Sequence, residues 1–157
     1  MRSYSARLWP ALCAFLLLFA SAAAARDVAV IVNRSNATKN VTLAELTKLA
    51  KGTTKKWADA KDVVLVIRDP ASPDMKTVLQ KVFGMTPDEV KTLVTTLNGA
   101  RRDSVLIVPS DDVAVKTVQT TPGAVGFVDV YSINSGISVL KLDGKSPLEP
   151  GYALHGQ

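Results

Sequence analysis

The chain has 157 residues, 47% of them hydrophobic and 21% charged, with 19 Lys and Arg against 14 Asp and Glu. The basic residues are scattered (Lys55 and Lys56, Arg101 and Arg102) and no basic run is interleaved with aromatics, which argues against nucleic-acid binding. The one histidine, His155, lies in the tail and the one cysteine, Cys13, near the start of the chain, which argues against a zinc site and against a Cys-His or Ser-His pair inside a domain, so neither an enzyme nor a metal or cofactor centre is predicted.

Residues 1–25 read as a secretory signal: Arg2 and Arg7 are the positive region, 11–20 the apolar region, and 21–25 a run of small residues suited to cleavage. Removal of this segment takes Cys13 with it and leaves a mature chain, 26–157, that cannot form a disulfide. It also lowers the formal charge from +5 to +3 by removing Arg2 and Arg7. What remains is the size of one domain.

Along this domain, strand and helix signals alternate. Residues 28–32 form an apolar run fit for a buried strand, followed by a polar loop in which Asn33, Asn36 and Asn40 each begin an N-x-S/T sequon. Thr42 with Glu45 is a capping box, and Leu43, Leu46 and Leu49 continue the helix until Gly52. Trp57 then reads as a packing anchor. A strand is predicted over 63–67. Ser72 as N-cap and Pro73 at the first helical position open a helix whose Met75, Val78, Leu79, Val82 and Phe83 form one apolar face ending at Gly84. Thr86, Pro87 and Glu89 start a third helix that runs to Asn98-Gly99.

Residues 104–108 read as a strand, and Ser110-Asp111-Asp112 as the start of a helix of about two turns. The turn Thr121-Pro122-Gly123 feeds a strand at 124–128, where Gly123 and Gly126 serve backbone geometry, and 137–142 is the last strand before a tail punctuated by Pro and Gly. The order βαβααβαββ predicts an α/β domain with a mostly parallel sheet covered by helices on both faces.

One stretch carries chemistry. The strand at 63–67 delivers Arg68 to the start of the helix capped by Ser72, where unpaired N–H groups and the positive end of the helix dipole favour an anion. The local alternatives are that Ser72 only caps the helix and that Arg68 pairs with Asp69 or Asp74.

The strings KGTTKKW, VVLVIRDPASPD, TTPGAVGFVD, VLKLDG and GYAL, in this order, resemble the phosphate-binding component of bacterial phosphate ABC transporters, and more closely its short single-domain periplasmic relatives. The resemblance covers residues 28–154 and implies one lobe of a type 2 periplasmic binding protein. By position it implies that Arg68 and Ser72 contact the anion, whereas Pro73 and Asp74 stand where the family has glycine and threonine. Proline has no N–H to donate, and the Asp74 carboxylate sets a like charge against phosphate. The family's N-terminal segment, which supplies the opposing wall and an acidic residue that takes a proton from phosphate, has no counterpart in this sequence.

The resulting expectation is a periplasmic or secreted protein that binds phosphate or a related oxyanion weakly at Arg68 and Ser72, with Asp74 at the mouth of the site. The alternative is a non-transport interaction module that keeps one lobe and binds a periplasmic or membrane partner, such as a transporter. Dimerisation with a second copy would equally supply the missing wall.

Overall fold

All six residues of strand β1 (Val28–Asn33) are buried, and because successive side chains of a strand point to opposite faces, both faces of its sheet must be covered. A computed structural model describes residues 26–156 and shows how this is done. The predicted signal segment lies outside the described residues.

The main sheet has the order β4-β3-β5-β1-β6, built from β3 (Val64–Ile67), β4 (Val105–Ile107), β5 (Ala124–Asp129) and β6 (Ile137–Val139) around β1. Strand β3 pairs in parallel with β4 and β5, so the sheet is mostly parallel as the sequence predicts. Its exception is β1, which pairs antiparallel with both β5 and β6. The expected last strand at 137–142 divides at Leu140 into β6 and β7 (Lys141–Leu142), and β7 leaves the main sheet to pair with β2 (Asn40–Val41).

Side-chain parity sorts the core into two layers. Val28, Val30 and Val32, with Leu65, Ile67, Val125 and Phe127, face helices α1 (Leu43–Ala50), α2 (residues 73–83) and α3 (Pro87–Ala100). Ala29, Ile31, Val66 and Val128 point the other way, onto Ala114, Val115 and Val118 of α4 (Asp111–Thr120). With ten residues, α4 is longer than the two turns expected. Gly126 lies under it, where an added Cβ would stand 3.1 Å from Val118 Cγ2, so its absence admits close helix packing.

Both predicted capping boxes form. Thr42 Oγ1 accepts from the Glu45 N–H while Glu45 accepts from the Thr42 N–H at 2.7 Å, and Thr86 with Glu89 repeats the arrangement. The N–H donated by Thr42 holds the Glu45 carboxyl below the usual range, as that of Thr86 does for Glu89. Helix α2 departs from expectation: it opens as a 3-10 turn (Pro73–Met75), passes through Lys76–Val78 and ends in a π turn (Leu79–Phe83) closed by left-handed Gly84. The wide turn still buries Leu79, Val82 and Phe83 on one face.

The tail is part of the core. Tyr152 and Leu154 are buried, Leu154 accepts from the Val28 N–H at 3.1 Å, and the Tyr152 hydroxyl donates to the Val28 carbonyl at 2.9 Å. Burial pushes the Tyr152 phenol above its ordinary value. The folded-state value is raised, so stability from the neutral phenol is complete below the unfolded value near pH 10 and is lost as pH rises past it. Tyr152→Phe should therefore cost about 1 kcal/mol at neutral pH while flattening the loss of stability above about pH 10. Urea denaturation at pH 7 and pH 11 checks both signs; an equally steep alkaline loss in the variant would exclude Tyr152 as its source.

Asn33 and Asn36 are buried, Asn33 donating to the carbonyls of Val118 and Gln119 at the end of α4, so neither can act as a glycan acceptor in the fold. Trp57 is buried as predicted and donates from Nε1 to the Gly123 carbonyl at 2.8 Å.

Candidate functional site

After β3 the chain crosses to α2 and α3 on one face of the sheet, whereas after β4 it crosses to α4 on the other. Adjacent strands whose exits diverge in this way open a crevice at their carboxyl ends. Because β1 runs opposite to its neighbours, its first residues reach the same edge, with Val28 registered against Asp129. A cleft of about 670 Å³ occupies this edge.

Arg68 is the first residue after β3, at the strand end where the sequence puts it, and it lines the cleft. Its guanidinium is already engaged: Nη1 donates to Asp111 Oδ1 at 2.9 Å, and Nη2 lies 3.3 Å from Asp74 Oδ2. The Arg68 and Asp111 side chains are 19% and 20% exposed, while Asp74 is 63% exposed. The first pair is shielded from water and the second is screened by it, so Asp74 is the partner an incoming anion displaces more easily. Asp69 does not pair with Arg68; its Oδ1 accepts from the Ala71 N–H at 2.8 Å and folds the loop back on itself.

Asp111 is the organising residue that local sequence reasoning treated as helix-start charge alone. It sits on the first turn of α4, where Ser110 Oγ accepts from the Val113 N–H, and the helix dipole favours its charge. Its second oxygen accepts from the Asp129 N–H at 2.9 Å and lies 3.4 Å from Ser132 Oγ. One carboxylate thus ties together the ends of β3 and β5 and the start of α4. The Ser-Asp-Asp signal was visible, but nothing local joins Asp111 to an arginine 43 residues earlier.

Ser72 corrects the predicted cap. It occupies the N-cap position with extended backbone, yet its hydroxyl makes no capping bond, because the helix opens as a 3-10 turn in which the Met75 N–H reaches the Ser72 carbonyl at 3.1 Å. The Ser72 Oγ is buried without a hydrogen-bond partner and is not among the groups lining the cleft. Pro73 and Asp74 do line it.

The field of the cleft is acidic. Asp27, Asp74, Asp111, Asp112 and Asp129 line it against Arg26, Arg68 and Lys76. Arg26 stands 3.3 Å from Asp129, and buried Asp27 contacts His155 Nδ1. An anion entering here gains Arg68 only by competing with carboxylates already in place.

The fold is similar to that of solved phosphate-binding proteins. An ABC-type phosphate transport receptor from Vibrio cholerae superposes with a TM-score of 0.60 at 19% identity over 78% of this chain and 48% of its own. PstS from Borrelia burgdorferi gives 0.62 at 15% identity, over 84% and 55% respectively. A phosphate-binding protein from Stenotrophomonas maltophilia gives 0.62 at 16% identity, over 78% and 40%. The chain therefore spans about half the length of these proteins. No curated protein matches the sequence. The profile of the PBP superfamily domain matches residues 17–150, and the chain belongs to that family.

Proposed function

We propose that the chain is a single solute-binding lobe that holds phosphate or a related oxyanion weakly at the carboxyl edge of its sheet, outside the cytoplasm after loss of residues 1–25. The observation that supports this reading is the placement of the Arg68 guanidinium in a 670 Å³ cleft beside the start of α2. Arg68 supplies the charge and Asp74 opposes it, while Ser72, the other residue the family resemblance implies, keeps its hydroxyl buried away from the cleft and would have to rotate outward to donate. A cleft that leaves Asp74 63% exposed keeps the ligand wet, which limits affinity to the millimolar range, roughly −4 kcal/mol. Titration calorimetry with phosphate and with sulfate should give such a value. Micromolar or tighter binding by the monomer would overturn the reading of a weak, solvent-open site.

A second reading, an interaction module that docks on a periplasmic or membrane partner, draws on a specific observation. Ile107 at the end of β4, Val113 in the first turn of α4 and Tyr131 after β5 are 49%, 39% and 84% exposed, and all belong to segments at the carboxyl edge of the sheet. Absence of any oxyanion binding, together with loss of partner capture in Tyr131→Ser, would favour this reading.

A further inference from the structure

At the opposite end of β3 and β4 lies a second cleft, of about 350 Å³, between the last turns of α1 and α3. We propose that it binds a free aliphatic carboxylate of medium chain length. Its floor is apolar, formed by Leu49, Leu65, Leu97 and Val105, and its volume falls within the range of small-ligand pockets. Gly52 shapes this floor: its φ is +73°, and a Cβ there would stand 2.4 Å from Leu97 Cδ2, displacing the side chain that forms one wall.

The rim carries the charge preference. Lys55 and Arg101 line the cleft, and no carboxylate does. Arg101 is fixed by donating to the Val63 carbonyl and by Asp62 at 3.5 Å, while Asp62 itself is shared with Lys56 at 2.8 Å. Lys55 is exposed and makes no ion pair among the described residues. An apolar slot under two cations matches a chain with one anionic end. The carboxyl ends of α1 and α3 also face this region, and their partial negative charge offsets some of that field. The preference for a carboxylate over the corresponding alcohol therefore measures the charge that remains, and it separates this site from a merely greasy groove.

Calorimetry of the purified chain with decanoate and with decanol, both below their aggregation concentrations, tests the proposal. Decanoate should bind about fivefold more tightly than decanol, the effect of one exposed charge pair. Lys55→Glu should remove that preference without weakening decanol. Ala100→Trp, at an exposed position on the rim, should abolish binding of both, with thermal unfolding confirming that each variant is folded. Phosphate binding at the far edge of the sheet should be unchanged in both variants, so failure of one site is distinguishable from failure of the other. No decanoate binding, equal affinity for decanol, or binding that survives both variants would overturn the proposal.

Discussion

Replacing Gly123 by alanine should destabilise the domain by about 3 kcal/mol, lowering its melting temperature by roughly 10 °C. Thr121-Pro122-Gly123-Ala124 is a type II turn: the Ala124 N–H donates to the Thr121 carbonyl at 3.1 Å, and Gly123 has a φ of +81°, the value that turn requires at its third position. A side chain at that φ alone costs on the order of 1 kcal/mol. The larger share is steric, because the added Cβ would stand 2.1 Å from the Asp62 carbonyl oxygen, a backbone atom that cannot swing aside. Any shift of the turn also disturbs the Gly123 carbonyl, which accepts from both the Val64 N–H at 3.1 Å and the Trp57 indole at 2.8 Å. Gly84→Ala is the control. Its φ is +59° but nothing lies within 4 Å of the added Cβ, so only the backbone term of about 1 kcal/mol applies. Thermal unfolding followed by circular dichroism compares the two; equal losses would show that the contact with Asp62 relaxes freely.

These two glycines mark the boundary of what the sequence discloses. Signals that act over three or four residues were legible: the Thr42–Glu45 and Thr86–Glu89 boxes, the stop at Gly84 and the Thr-Pro-Gly turn all form as written. Each is closed by bonds between near neighbours, so no distant partner can change it. Strand existence was legible for the same reason, but direction was not. An apolar run at 28–32 reads the same whether β1 runs with β5 or against it, and only the pairing of Val28 with Asp129 decides. The burial of Tyr152 and Leu154 was hidden because the Pro and Gly around them signal a loop, and a loop can still send single side chains inward.

The candidate site divides along the same line. The placement of Arg68 directly after a strand follows from local order, and Arg68 does follow β3, whereas Asp74 was placed beside it by the family resemblance. The occupancy of the site does not follow. Asp111 reaches Arg68 from α4 because β4 and β3 lie side by side, a fact of topology. The behaviour of Ser72 was misjudged because serine before proline is a strong cap signal, whereas the 3-10 opening of α2 takes the capping geometry away.

Asp74→Thr should tighten phosphate binding about tenfold, and Arg68→Ala should abolish it. The Asp74 carboxylate lies 3.3 Å from Arg68 Nη2 and in effect fills the seat an oxyanion would take. Two unit charges near 4 Å interact by about 1 kcal/mol even in bulk water and by more beside protein, so removing this charge is worth roughly the 1.4 kcal/mol of a tenfold change. Loss of the Arg68–Asp74 pair itself should barely alter stability, since Asp74 is 63% exposed. Asp74→Asn separates the causes: it removes the charge but adds no hydroxyl, so a gain shared by Asn and Thr is electrostatic. Arg68→Ala acts differently, because it also strands Asp111, whose side chain is 20% exposed, and should cost about 2 kcal/mol of stability. Calorimetry with phosphate on the four proteins, paired with urea denaturation, reads both effects. Phosphate binding that persists in folded Arg68→Ala would remove Arg68 from the site. Unchanged affinity in both Asp74 variants would show that this carboxylate does not guard it.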